Sequence, residues 1–287
     1  MSRLKWDETG TRFYETGVDR GVVYPYDSTD KVYNNGVEWN GLTGFTDSPS
    51  GGDETVLWAD NMKYGAMRAA EEYGGTITAY TYPDTFALLD GSAEPATGVF
   101  IGQQSRGTFG FSCRTLVGND TKLNDAGYKL HLIYGASVSP SDKDYSTVND
   151  SPDAIEFSWE FTTTPVNVGT AYKSTAHLTI DTTKLNEAGL ASLANLENVL
   201  YGLDTGDVYT KLMSTTAPAD WPTTSDASTK YFKNTASAGQ APNYVGVTVS
   251  DTYSANTYFK KQEAGPRLPS PREVIEDFFG GTVDATA

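Results

Sequence analysis

The sequence predicts a mainly β chain with one amphipathic helix and a short helix close to its end. Three observations carry this. First, the stretch from Tyr128 to Ile180 alternates with period two in three successive runs. Second, 18 tyrosines and an aromatic content of 12% suit strands better than a helix bundle. Third, apolar residues recur at helical spacing in only two places, Leu190 to Leu200 and Val274 to Phe279.

The three central runs are expected to be half-buried strands with one face on a core. Tyr128, Leu130, Leu132 and Tyr134 alternate with Lys129, His131 and Ile133. Ile155, Phe157, Trp159 and Phe161 alternate with Glu156, Ser158, Glu160 and Thr162. After a break at Pro165–Gly169, Tyr172, Ala176, Leu178 and Ile180 alternate with Lys173, Thr175, His177 and Thr179. The second run is the cleanest, and its polar face must meet solvent or line a wet cavity.

The remaining elements follow in chain order. Residues 1–20 are polar with scattered aromatics and read as an arm leading to a short strand at Val22–Tyr26. Asn34-Asn35-Gly36 signals a turn. Residues 37–58 read as a hairpin whose soft tip is Ser48-Pro49-Ser50-Gly51-Gly52-Asp53. Met62–Met67 favours a strand, Ala69–Glu72 one helical turn, and Thr76–Tyr82 a strand. Asp84 is placed to cap a short helix through Leu89. Residues 92–107 look irregular, and Phe109–Val117 is a strand with Cys113 on the face of Phe109 and Phe111. Leu190, Leu193, Leu196 and Leu200 form a helical stripe ended by Gly202, with Gly189 marking a late start. Residues 204–265 are rich in Thr, Ser and Tyr and suggest a peripheral β element with a weak echo, Lys230-Tyr-Phe-Lys233 and Thr257-Tyr-Phe-Lys260. Ser270-Pro271-Arg272-Glu273 has the form of a capping box opening a helix with Val274, Ile275, Phe278 and Phe279 on one stripe. So short a helix must dock on something. The expected divisions are 1–203, 204–265 and 266–287.

Net charge is −16, which disfavours a protein that binds DNA by neutralising phosphates. The one cysteine, Cys113, permits no intramolecular disulfide and reads as a buried thiol. The start, Met1-Ser-Arg-Leu-Lys-Trp-Asp7, lacks the apolar run of a signal peptide, and no window approaches a membrane span. The expectation is a protein made and folded in a cytoplasm, with no membrane contact.

No catalytic, cofactor or metal site is expected. The two histidines, His131 and His177, fall on polar faces of strands and far from Cys113 in sequence. Phosphate-binding glycine loops and paired-cysteine motifs are absent from the sequence. Asp142, Asp144, Ser146, Asp150 and Asp153 occupy calcium-loop spacing, but Thr147 stands where the loop needs glycine, so a solvated acidic tip is the reading. Glu156 and Glu160, four residues apart on one strand, lie about 13 Å from each other. That is too far for a glycosidase pair.

An ordered series of stretches carries a family resemblance. It includes Arg12-Phe-Tyr-Glu-Thr-Gly17, Arg20-Gly-Val-Val-Tyr24, Val37-Glu-Trp-Asn-Gly-Leu42, Ser48-Pro-Ser-Gly51 and Ala79-Tyr-Thr-Tyr-Pro-Asp84. It continues through Ile101-Gly-Gln-Gln104, Leu116-Val-Gly-Asn-Asp120, Gly127-Tyr-Lys-Leu-His-Leu-Ile-Tyr-Gly135, Asn149-Asp-Ser-Pro152, Phe157-Ser-Trp-Glu160 and Thr164-Pro-Val166. It closes with Arg267-Leu-Pro-Ser-Pro-Arg-Glu-Val-Ile275. Together these resemble the major tail tube protein of long-tailed, non-contractile bacteriophages of Gram-positive hosts, over roughly 1–202 and 266–279. The resemblance implies an antiparallel β-sandwich or barrel of the tail-tube fold, with a flanking helix and a short C-terminal helix. It implies six subunits per ring, and rings stacked into a virion tail assembled in the host cytoplasm. It implies partners in copies of itself and in tape measure, distal tail and terminator proteins, with DNA passing transiently. The family has no enzymatic members and no cofactor. The alternative from another class is a glycan-binding β-sandwich module of a virion tail or surface.

Under this resemblance the arm (Trp6, Phe13, Tyr14) and the loop (Ser48, Pro49, Ser50, Asp53) are expected to make inter-subunit contacts. Glu156, Ser158, Glu160 and Thr162 are candidates to face the channel. The competing reading of that strand face is the outer surface of the tube. From Gly135 to Phe161 the chain has six acids (Asp142, Asp144, Asp150, Asp153, Glu156, Glu160) and one base, Lys143.

Overall fold

Strands dominate, and every strand pairing described is antiparallel. The computed structural model describes residues 3–145, 147, 150, 154–203, 207–212, 217–236, 242–254, 257–262 and 266–284. In chain order the first elements are β1 (Phe13–Asp27), β2 (Val32–Tyr33), β3 (Val37–Trp39), β4 (Leu42–Asp47), β5 (Ser50–Gly51), β6 (Glu54–Ala59), β7 (Met62–Arg68), β8 (Glu71–Glu72) and β9 (Gly74–Ala79). Helix α1 (Asp84–Leu89) follows, then β10 (Ala93–Ala96), β11 (Val99–Ile101), β12 (Phe109–Asn119), β13 (Leu123–Val138), β14 (Phe157–Thr163) and β15 (His177–Asp181). The rest are α2 (Glu187–Tyr201), β16 (Tyr209–Lys211), β17 (Tyr231–Asn234), β18 (Tyr244–Gly246), β19 (Tyr258–Lys261) and α3 (Pro271–Glu273), which runs into a π-helical turn, Val274–Phe278.

The chain divides into two units. One comprises Met1–Tyr26, Val37–Val166 and Ala176–Thr183; the other comprises Asp27–Gly36, Asn167–Thr175 and Lys184–Ala287. The division expected at residue 203 therefore does not fall between the units. Helix α2 and the C-terminal segment belong with the small sheet of residues 209–261.

In the first unit the sheet runs β1-β12-β13-β14-β9-β4, with β3 on β1 and β15 on β13. The long strand β13 serves two neighbours. Lys129–Ile133 pair with β15, and Ala136–Val138 pair with β14. Gly135 sits between these halves at φ 61°, where a Cβ would lie 2.2 Å from the Thr164 carbonyl oxygen, so only glycine fits. Trp39 of β3 touches both Phe111 of β12 (5.9 Å) and Trp159 of β14 (5.4 Å). The two ends of the sheet thus face each other across one aromatic core, which α1 closes with Phe86.

Several sequence expectations are corrected. Strand β13 is buried on both faces from Leu130 to Tyr134, not on one; its nominal polar set already contained Ile133. The N-terminal arm is shorter than 1–20, because Phe13 to Thr16 already pair with Asn119 to Leu116. Bulges at Gly17 (φ 63°) and Arg20 (φ 50°) break the alternation that would have revealed this strand. Glu71–Glu72 form β8 rather than a helical turn, because Ser50 and Gly51 pair with them. Residues 93–101 form a small hairpin, not irregular chain. The third central strand begins at His177, and Tyr172 is exposed outside it. Pro83 is the N-cap of α1 and Asp84 its first residue, with no side-chain cap.

In the second unit the sheet order is β16-β19-β17-β18. The sequence echo becomes two neighbouring strands, with Tyr231↔Lys260, Phe232↔Phe259 and Lys233↔Tyr258. Tyr231 and Tyr258 are both buried, with Leu212 and Val247, in a separate core against which the half-buried Trp221 packs. Helix α2 starts at Glu187, earlier than Gly189 suggested, because the Asn186 side chain accepts from the Gly189 N–H. Its buried side is Leu193, Leu196, Val199 and Leu200; Leu190 is exposed.

Candidate functional site

Two surfaces of the first unit offer features that a closed β domain does not need. The first is the outer face of β4, β9 and β14. Trp159 and Phe161 turn into the core, so Ser158, Glu160 and Thr162 turn out. Register places Ser158 opposite Thr78, Glu160 opposite Thr76, and Thr46 on the other side of Thr76. Residues directly opposite share a face, so hydroxyls surround the carboxylate. Glu156 lies exposed just before β14 and accepts a hydrogen bond from Thr43, which also bonds Thr78 (2.9 Å). None of these face residues is a lysine or arginine. Lys143, the one base between Gly135 and Phe161, is drawn away to Asp90 (2.9 Å) and lies over the Tyr82 ring (5.0 Å). Burial opposes its charge, but the Asp90 carboxylate outweighs it and holds the lysine above its ordinary value.

The second surface is a projecting ribbon. β4 pairs with β9, β5 with β8, and β6 with β7, making one long hairpin from Leu42 to Ala79. The expected tip at Ser48–Asp53 is instead mid-ladder. The Ser48 N–H donates to Gly74 (2.8 Å), Ser50 pairs with Glu72, and Asp53 accepts from the Ala69 N–H (3.2 Å). Pro49 links β4 and β5. The turn is at Asp60–Asn61, with φ 52° and 62°, the left-handed pair that a type I′ hairpin requires. The hairpin of residues 37–58 is therefore corrected to one of 42–79.

The distal part, β6 with β7, is amphipathic. One face pairs Glu54 with Arg68 and Trp58 with Lys63, and Glu54 bridges both cations (Lys63 2.6 Å, Arg68 3.3 Å). The other pairs Thr55 with Met67, Leu57 with Gly65 and Ala59 with Met62, with no charge. Met62 is 62% exposed, Met67 57% and Trp58 72%. A two-stranded ribbon is at best marginally stable in water without a covered apolar face.

The remaining expected contacts are placed as follows. Trp6 is exposed in the segment before β1. Phe13 and Tyr14 are exposed on β1 itself, and the Tyr14 hydroxyl donates to Asn124 (3.1 Å). The C-terminal turn docks within its own unit, against α2 and β16, by burying Val274 and Phe278; Ile275 and Phe279 are half-buried. Ser270 caps it by accepting from the Glu273 N–H (3.2 Å). Only half of a capping box forms, because the Glu273 carboxylate pairs with Arg267 instead.

Sequence reasoning missed one cluster. His131 is buried and His177 half-buried, rather than lying on exposed polar faces of their strands. Their rings stack at 5.4 Å, with His131 Nδ1 3.2 Å from His177 Nε2. Tyr73 stacks on His177 (4.7 Å) and donates to Asp47; Phe45 faces His131 (6.1 Å) and Thr115 contacts its Nε2 (2.9 Å). The β13–β15 pairing brings the histidines together, a long-range register that no local motif announces. Burial lowers the pKa of both histidines and pushes the Cys113 thiol up, so Cys113 is a poor nucleophile. Among the described residues no group of three or more His, Cys, Asp or Glu is placed to hold a metal ion. Ser146 and Asp153 of the calcium-like pattern lie outside the described residues. No described helix is long and apolar enough to cross a membrane.

No protein-family model matches the chain, and no curated protein matches it.

Proposed function

We propose that the chain is a structural subunit of a hollow tube of the phage tail-tube kind, built from copies of itself in rings that stack into a conduit for DNA. The observation that carries this reading is the ribbon. On its uncharged face Leu57, Met62 and Met67 are exposed around a half-buried Ala59, and a neighbouring copy would cover them. A projection on one side that fits a surface elsewhere on the same chain makes a head-to-tail contact, and such contacts close into rings or grow as filaments. The exposed Trp6, Phe13 and Tyr14 offer a second contact of the same kind.

In this reading the face of Glu156, Ser158, Glu160 and Thr162 lines the lumen. Phosphates passing it meet hydroxyls and carboxylates and no cation to bind. Repulsion survives across a narrow channel because the Debye length is about 8 Å at physiological salt. The tube ends would meet tape measure, distal tail and terminator proteins. The role is structural and non-enzymatic, in the virion tail. The test is sedimentation of the full chain over a concentration series, followed by negative-stain imaging. Rings or tubes with a central hole are expected; a monomer at every concentration overturns the reading.

A further inference from the structure

The second unit holds a cleft of about 400 Å³ that the tube reading leaves unused. That volume lies in the range of small-molecule sites. One wall is a face of α2 carrying Ser192, Asn195 and Asn198. The other is the small sheet, which supplies Tyr209 from β16, Tyr244 from β18 and Phe259 from β19. Tyr209 and Tyr244 stack at 4.0 Å and 20°, and Phe259 meets Tyr244 edge-on at 5.0 Å and 68°. Each ring is held by another, so a ligand stacking on them orders little that is not already ordered.

The wall opposite is chemically different. The side chains of Ser192, Asn195 and Asn198 make no hydrogen bond to another described residue. Two amides and a hydroxyl thus face the cleft with donors and acceptors to spare. At the rim, Asp207 is paired with Lys261 (2.8 Å), and Lys211 stands on the same edge. Burial, with Asp207 adding for Tyr209, raises both tyrosine hydroxyls, so they stay neutral phenols.

We propose that this cleft binds a neutral saccharide bearing N-acetyl groups. The C–H face of a pyranose presents positive hydrogens to the negative face of an aromatic ring. Its hydroxyls and acetamides meet the free amides of Asn195 and Asn198 and the Ser192 hydroxyl. The rings and amides of the two walls carry no charge, and the lining holds one acid, Asp207, and one base, Lys211, so its charge is balanced as a neutral ligand requires. The site stands whether or not the chain forms rings.

The test is saturation-transfer NMR on the full chain with tetra-N-acetylchitotetraose, and with cellotetraose as the comparator without acetamides. Binding of the acetylated sugar with Kd of about 1 mM or tighter is expected, with cellotetraose weaker. Tyr244→Ala should weaken binding by about tenfold or more, and Tyr244→Phe, which keeps the ring, should restore it. Asn195→Ala, on the helix wall and away from the sheet core, should weaken it without unfolding. No transfer up to roughly 10 mM sugar overturns the proposal. So does transfer unchanged in both Tyr244→Ala and Asn195→Ala, and equal binding of cellotetraose overturns the acetamide assignment.

Discussion

Replacing Met62 and Met67 by lysine should stop assembly and leave the folded chain intact. Both residues sit on the uncharged ribbon face, 62% and 57% exposed. Fully burying an apolar side chain of this size is worth about 1.5–3 kcal/mol. Roughly half to two-thirds of each remains to be covered, so each contributes about 1 kcal/mol to an interface. The introduced ammonium adds a desolvation cost wherever its stem cannot carry it to water. The pair should therefore weaken one interface by about 2–3 kcal/mol, a factor of about 30 to 150. A ring repeats the loss at every contact. The folded chain loses little, because exposed substitutions usually change stability by about 0.5 kcal/mol or less. Sedimentation velocity reads the assembly and chemical denaturation reads the fold. Normal tubes from the double variant would refute the argument that this face is covered by a neighbour.

Three further outcomes are expected. Phe278→Ala removes a fully buried ring from the C-terminal turn and should cost about 3–5 kcal/mol; an unchanged denaturation midpoint would mean the turn is not docked. Acid should loosen the His131–His177 stack. Both folded-state pKa values are lowered, chiefly by burial and against the pull of Asp47. The unfolded state therefore binds more protons once pH falls through about 6.5, and stability is lost from there downward while it is flat above. Glu15, Lys129, Tyr73 and Cys113 also face this cluster. Denaturation at pH 7.5 and 5.5 should show the loss and His177→Gln should reduce it; equal losses in both proteins would assign the effect elsewhere. Glu156→Lys with Glu160→Lys should give tubes that form normally but retain DNA or slow its passage, as each phosphate contact adds affinity; unaltered passage would place this face on the outside.

What could be read from the sequence was local. Strand β14 alternates without exception, so its inward and outward sets were legible from Phe157 to Thr162. Cys113 followed from its neighbours Phe109 and Phe111, and Val274 and Phe278 from helical spacing. What escaped were pairings between distant segments. Ser48-Pro49-Ser50-Gly51-Gly52 has the composition of a loop tip, yet the ladder continues past it and turns at Asp60–Asn61, a weaker turn signal. Ala69–Glu72 has helical propensity, and cross-strand pairing with Ser50 and Gly51 overrides it. Period two shows which side of a strand is polar, not what covers it. It therefore missed the second buried face of β13 and the meeting of His131 with His177. The cleft in the second unit joins α2 to β16, β18 and β19, and no single stretch contains it.

A three-dimensional reconstruction of the assembled particle tests the central claim most directly. The account predicts stacked rings with a central lumen. Glu156, Ser158, Glu160 and Thr162 should point into it, and the Met62–Met67 face should be seated on a neighbouring copy. A solid or open assembly, or one with that strand face on the outer wall and the ribbon free in solvent, would contradict it.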